Sequence, residues 1–174
     1  MKLKIFLIGF MGSGKTHWGR IWAQKNQLTF YDLDEQIERT VGESVADIFE
    51  KKGEDNFREM ERYVLRKFNV KNNFVMACGG GTPCFLENLQ WMNEQGITIY
   101  LEAKPSEILE KVMHETQERP LLKKLNSSEL LFFIEQKLKE REPFYKQAKY
   151  TLDINNLTEI SLSNIIKENS ETLY

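Results

Sequence analysis

The chain has 174 residues, 41% of them hydrophobic and 29% charged, and a formal net charge of −2. This size and composition predict one globular domain spanning residues 1–174, and the charge gives no electrostatic footprint for nucleic acid. No apolar run approaches the roughly 18 residues that a membrane span needs, so we expect a cytoplasmic protein without a membrane partner.

The N-terminal segment carries a phosphate-binding motif. Its apolar run at residues 5–8 predicts a buried strand, and the residues that follow fit the pattern G-x-x-x-x-G-K-[ST]. In this motif, backbone N–H groups surround phosphates, the lysine reaches the β- and γ-phosphates, and the hydroxyl ligates Mg²⁺. We therefore predict an ATP site with Mg²⁺ that comprises Gly12, Ser13, Gly14, Lys15 and Thr16. The alternative is a glycine-rich turn with a surface lysine.

Strands and helices alternate along the rest of the chain. Helical periodicity predicts helices at residues 15–25, 34–40, 45–52, 86–94, 106–114, 129–141 and 160–166, and one capped by Asp55 or Asn56. Apolar runs predict strands at 28–31, 74–78, 97–101 and 150–154. Residues 115–127 read as a lid loop, Ser127 or Ser128 as the cap of the next helix, and Pro143 as its end. This alternation predicts an α/β fold with a five-stranded parallel sheet covered on both faces.

Two acidic residues follow the second predicted strand. Asp32, nearer the strand, is a candidate Mg²⁺ ligand, and Asp34 is a candidate to bind an acceptor hydroxyl and take its proton. The alternative for either carboxylate is to cap the following helix. Because ligands bind at the carboxyl ends of parallel strands, both residues should lie near the phosphate loop.

Three consecutive glycines follow the third predicted strand. Gly79, Gly80 and Gly81 suit a place where a ligand approaches the main chain, although a loose turn is the alternative. Arg58 and Glu61 are three residues apart on a predicted helix, so they can pair along one face. That spacing alone indicates an ordinary surface ion pair.

Two further arginines are candidates for binding anions. Arg119 lies in the predicted lid, where an arginine can close over a transferring phosphoryl group. Arg141 lies near a helix end, where it can bind a carboxylate bidentately or compensate the helix dipole. Without further evidence, an ordinary structural role is the favoured interpretation for each arginine.

Taken together, the motifs resemble those of the shikimate kinases. They occur in the family's order over residues 1 to about 155: GFMGSGKT at 9–16, DLD at 32–34, FREME at 57–61, GGGT at 79–82, RPLL at 119–122 and REPFY at 141–145. The resemblance implies phosphorylation of the 3-hydroxyl of shikimate by ATP, in the pathway to chorismate and the aromatic amino acids. It also implies a single-domain P-loop kinase fold with strand order 2-3-1-4-5 and a mobile lid.

The resemblance further implies roles for individual residues. The implied shikimate site belongs to the helical region 34–68 and its surroundings: Asp34 on ring hydroxyls, Arg58 and Arg141 on the carboxylate, the main chain of Gly79, Gly80 and Gly81, and Glu61 orienting Arg58. The implied catalytic residues are Lys15, Asp34 and Arg119. Arg119 and His17 join the phosphate loop in the nucleotide site, and the implied metal ligands are Thr16 and Asp32.

Two departures from the family pattern leave two parts of the nucleotide site undetermined. His17 replaces the family's usual small hydroxyl residue, and it either lies beside the α-phosphate or points into solvent. Residues 153–157 match the family's adenine-side loop loosely, so the adenine contacts are undetermined.

Other functions share some of these motifs. A kinase acting on gluconate or a nucleoside monophosphate would share the loop and lid without needing two arginines on one carboxylate. A non-catalytic nucleotide switch is the other alternative, but the chain lacks an Asn/Thr-Lys-x-Asp guanine motif. We expect a monomeric enzyme whose partner is a small-molecule substrate.

Overall fold

A five-stranded parallel sheet organises the computed structural model, which describes residues 2–115 and 126–171. Its strands are β1 (Lys4–Ile8), β2 (Thr29–Asp32), β3 (Phe74–Ala77), β4 (Ile97–Glu102) and β5 (Tyr150–Asp153). The order β2-β3-β1-β4-β5 confirms the expected 2-3-1-4-5 arrangement, and every pairing is parallel. Strand β1 is central and buried throughout, as its continuous apolar run predicts.

Helices cover both faces of this sheet. They are α1 (Lys15–Lys25), α2 (Leu33–Val41), α3 (Val45–Lys67), α4 (Asn88–Gln95), α5 (Pro105–Glu115), α6 (Ser127–Tyr145) and α7 (Ser161–Glu171). Apolar residues of α1 and α7 pack with one set of strand side chains, and those of α2 to α6 pack with the other. The two resulting cores cover the two faces of the sheet.

Helix α3 is interrupted at Gly53. This glycine has φ 80° and ψ 172°, a conformation that side-chain-bearing residues rarely adopt, and it separates the two helices that the sequence predicts. Gly53 is the single non-helical residue within α3, so the second part already begins at Glu54. The prediction that Asp55 or Asn56 caps this part was wrong.

Other helix boundaries also differ from the sequence predictions. Helix α6 continues through Pro143 to Tyr145, although proline disfavours a helix interior, because the fully buried Tyr145 anchors the last turn. Its cap is Asn126, which forms a reciprocal capping box, and not a serine. Helix α4 begins later than predicted, because Leu86 and Glu87 both have positive φ angles.

Candidate active site

The phosphate loop connects β1 to α1. Gly9, Gly12 and Gly14 have φ angles of 140°, 75° and 84°, so the loop curls through conformations that glycine adopts at little cost. Gly14 precedes α1 and supplies no side-chain cap, so the helix begins without a side-chain acceptor for its first N–H groups. A helix N-terminus of this kind favours an anion.

Lys15 is buried at the centre of this loop. Its Nζ donates to the carbonyl oxygens of Gly9 and Phe10 at 2.9 and 2.7 Å, and lies 3.4 Å from Ser13 Oγ. These contacts hold a positive charge within the loop. The loop therefore offers both a cation and oriented donors to a phosphate.

Asp32 uses its two carboxylate oxygens differently. Oδ1 accepts from the backbone N–H of Asp34 at 3.1 Å and caps α2, which realises the capping alternative for this residue. Oδ2 accepts from Thr16 Oγ1 at 2.9 Å. A carboxylate beside a hydroxyl at the phosphate loop provides the hard oxygen ligands that Mg²⁺ takes alongside water and phosphate oxygens. These two residues therefore fit a magnesium ion.

Asp34 lies in the first turn of α2 and is partly buried. Burial raises the pKa of its carboxyl group to about 6, with further contributions from the negative charges of Asp32 and Glu61. Lys15 opposes this shift only in part. A carboxyl group with a pKa close to neutrality can exchange a proton with a substrate hydroxyl.

Arg58 is held by a buried carboxylate on its own helix. Its Nη1 donates to Glu61 Oε2 at 3.0 Å, and the Glu61 side chain is 1% exposed. The other Glu61 oxygen accepts from Thr82 Oγ1 at 2.6 Å. Burial raises the pKa of Glu61, while the charge of Arg58 and the bond from Thr82 act in the opposite direction. The pair is thus a buried assembly and not the surface ion pair that its spacing alone suggests.

The glycine segment, residues 79–81, lies where these side chains converge. A Cβ on Gly79 would lie 3.4 Å from Asp34 Oδ1, and one on Gly81 would lie 2.9 Å from Arg58 Cζ. None of these three glycines has a positive φ. Space, and not backbone conformation, therefore favours glycine here, most strongly at Gly81.

Arg141 reaches the same segment from α6. Its Nη1 lies 3.2 Å from the position of a Cβ on Gly80, and its guanidinium lies 5.7 Å from the ring centroid of Phe10. Tyr145, one turn further along α6, donates from its hydroxyl to Gly80 O at 2.5 Å. The last turns of α6 therefore fix both an arginine and the main chain beside it.

An open cavity of about 590 Å³ joins the phosphate loop to the glycine segment. It is lined by Met11, Gly12, Gly14, Lys15, Thr16, His17, Arg20, Asp32, Asp34, Ala77, Cys78, Gly79 and Gly80. The structure therefore brings the ends of β1, β2 and β3 together, and Asp32 and Asp34 lie near the phosphate loop as predicted. The arrangement can hold a phosphate chain on one side and a small anionic ring on the other.

Comparison with known proteins identifies the family. The shikimate kinase family model matches residues 11–171. A shikimate kinase of Phocaeicola vulgatus is 40% identical over 154 residues, 88% of each chain. The chain belongs to the shikimate kinase family. The crystal structure of shikimate kinase from Bacteroides thetaiotaomicron superposes with a TM-score of 0.87 at 36% identity, covering 99% of both chains. Shikimate kinase from Acinetobacter baumannii in complex with shikimate has a TM-score of 0.80 at 34% identity, over 97% of this chain and 92% of the other.

Arg119 and His17 are the remaining residues of the predicted nucleotide site. Arg119 lies outside the described residues. His17 is exposed at the cavity, with its ring 5.5 Å from that of Trp18. Within residues 2–115 and 126–171, no helix has the length and apolar character to cross a membrane.

Three side chains that contact site residues or the glycine segment were not predicted from the sequence. Thr82 and Tyr145 lie inside motifs characteristic of shikimate kinases, but their partners are distant in sequence. Glu54, four residues before Arg58, was detectable from helical spacing and accepts from its guanidinium.

Proposed function

We propose that this shikimate kinase transfers the γ-phosphoryl group of ATP to the 3-hydroxyl of shikimate, giving ADP and shikimate 3-phosphate. The observation that carries the proposal is the convergence of Arg58, Arg141 and Asp34 on the glycine segment, beside the cavity that contains the phosphate loop. Family membership supports the same reaction. It places the enzyme in the synthesis of chorismate and the aromatic amino acids.

Positively charged side chains bind one end of the acceptor, and a carboxylate binds the other. Arg58 and Arg141 bind the carboxylate of shikimate, and Glu61 orients Arg58 from behind. Asp34 accepts a hydrogen bond from a ring hydroxyl and takes its proton during transfer. Because the cations and the carboxylate lie along one glycine segment, a rigid ring bound by both presents one hydroxyl to the phosphate chain. The main chain of Gly79, Gly80 and Gly81 contacts the ring.

The phosphate loop binds the nucleotide. Backbone N–H groups of Gly12, Ser13 and Gly14 hold the phosphates, and Lys15 balances their charge. Thr16 and Asp32 would hold Mg²⁺ through their oxygen atoms. When bound, this ion neutralises phosphate charge and favours transfer to the acceptor.

Arg119 and His17 complete the proposed nucleotide site. Arg119 stabilises negative charge on the transferring group, as an arginine of a lid does in phosphoryl transfer. His17 lies beside the phosphates at the cavity, a position supported by its place in the cavity wall.

The proposed functional unit is one monomeric domain of residues 1–174, with a substrate-binding helical region at about 34–68 and a lid at about 115–127. Most of that lid lies outside the described residues. The site residues converge within one chain, so the proposed reaction needs no second copy. The enzyme works in the cytoplasm, where ATP is available, and needs no nucleic acid or membrane partner. Both cysteines are free thiols, which fits a reducing compartment.

The test measures which acceptor stimulates release of ADP from Mg·ATP. Shikimate, gluconate and AMP are supplied separately at equal concentrations, and the phosphorylated product is identified by phosphorus NMR. We expect turnover with shikimate at least about a hundredfold above the other two, because only shikimate combines a ring hydroxyl with a carboxylate that both arginines can reach. Equal turnover with all three acceptors, or none with shikimate, would overturn the proposal.

A further inference from the structure

Glu54 binds the same guanidinium that the proposed function assigns to the substrate. Arg58 donates from Nε and Nη2 to Glu54 Oε1 at 3.3 and 3.0 Å. This pair of donors forms one edge of the planar guanidinium, the kind of edge that binds a carboxylate bidentately. A carboxylate of the protein itself therefore occupies an edge suited to an incoming carboxylate.

Arg58 has contacts besides its bonds to Glu54 that fix its position. Its guanidinium lies 4.3 Å from the ring centroid of Phe85 and 5.1 Å from that of Phe57, and it is bonded to the buried Glu61. The Glu54 side chain is 53% exposed, against 9% for Arg58. A half-exposed ion pair adds little to a cation that rings and a buried carboxylate already fix.

We propose that Glu54 is an internal competitor that lowers the affinity of the site for the carboxylate of shikimate. This inference rests on the proposed function. With Glu54 and Glu61 both bonded, the single positive charge of Arg58 faces two negative charges before an anionic substrate arrives. A substrate carboxylate must displace Glu54 or share the guanidinium with it. The phosphorylated product retains the carboxylate and carries more negative charge, so the same competition also limits how tightly product is held.

The test replaces Glu54 with its neutral isostere. In Glu54→Gln, we expect the dissociation constant of shikimate to fall about two- to fivefold, the range of an exposed charge pair. Titration calorimetry without nucleotide measures it. The KM for shikimate falls in parallel, while kcat does not rise and the KM for ATP is unchanged. This split is the signature of a residue that acts on acceptor binding alone.

Two controls separate competition from general charge effects. Asp55→Asn makes the same charge change in the adjacent exposed position of the same helical turn, and it leaves shikimate binding unchanged. The methyl ester of shikimate lacks the carboxylate charge, so its affinity does not improve in Glu54→Gln.

The inference is overturned if shikimate binds Glu54→Gln no more tightly than the unaltered enzyme, or more weakly, since Glu54 would then position Arg58. An equal gain for the ester, or for Asp55→Asn, would also overturn it. These outcomes are distinct from failure of the proposed function, which appears as an unaltered enzyme without shikimate-dependent ADP release.

Discussion

At the scale of single residues, Asp32 and Asp34 show how carboxylates two positions apart acquire different chemistry. Asp32 precedes α2, so one oxygen caps the helix and the other faces Thr16. Asp34 lies inside the first turn, where burial and neighbouring negative charges raise its pKa to about 6. The sequence places both residues at the end of a strand, but it does not show which carboxylate becomes buried where α2 begins.

The first prediction concerns turnover of Asp34→Asn. The amide cannot accept the hydroxyl proton, so kcat should fall by at least about a hundredfold, as expected when a general base is removed. Binding of Mg·ATP, measured by calorimetry, should change little, because Lys15 and the loop are untouched. In the unaltered enzyme, kcat/KM for shikimate should decline as the pH falls through about 6, where Asp34 gains a proton. Near-normal turnover in the variant would show that Asp34 has no part in proton transfer.

At the scale of elements, β1, the phosphate loop and α1 were predictable because each depends on local pattern, whereas the strand order was implied by the family resemblance. Apolar runs and glycine spacing determine β1, the loop and α1 without reference to distant residues. The end of α6 was not predictable in the same way. Pro143 normally ends a helix, but burial of Tyr145 and its bond to Gly80 stabilise one more turn.

The contacts around the glycine segment also lie beyond local pattern. Thr82 meets Glu61 from 21 positions away, and Tyr145 meets Gly80 from 65 positions away. Only the packing of α3 and α6 against the sheet brings such pairs together. The family motifs identify these residues together, but only the fold shows which of them contact each other.

The second prediction concerns Gly81→Ala. The added methyl group would lie 2.9 Å from both Cζ and Nη1 of Arg58, which the bond to Glu61 prevents from moving freely. We expect the chain to fold and to bind Mg·ATP normally, with shikimate affinity about ten- to a hundredfold lower, the cost of losing a charged hydrogen bond. Calorimetric titrations with each ligand measure the difference.

A double-mutant cycle gives the control for Gly81→Ala. If the methyl group acts by displacing Arg58, it should cost little further affinity in an Arg58→Ala background. Additive losses in the two variants would contradict this explanation. They would assign the effect to the glycine main chain itself.

At the scale of the whole molecule, the buried carboxylates of the site lower the stability of the fold. Burial raises the pKa values of both Asp34 and Glu61, so the folded state holds their negative charges less favourably than the unfolded chain does. The two apolar cores on either side of the sheet offset this cost. A substrate hydroxyl that donates a hydrogen bond to Asp34 finds its negative charge already in place.

The third prediction tests this cost through the pH dependence of unfolding. Because the pKa of Asp34 rises from 3.8 to about 6 on folding, its contribution to stability is greatest below about pH 4 and is lost as the pH rises through 6. Asp34→Asn removes the charge, so it should be more stable than the unaltered enzyme at pH 8 by about 1–3 kcal/mol, with a correspondingly higher Tm. Thermal and urea unfolding at several pH values measure the difference, which should shrink between pH 6 and pH 4. Asp55→Asn, at an exposed position, should show no such trend. An Asp34→Asn variant that is less stable than the unaltered enzyme at pH 8 would show that neighbouring cations and hydrogen bonds outweigh the burial of this carboxylate.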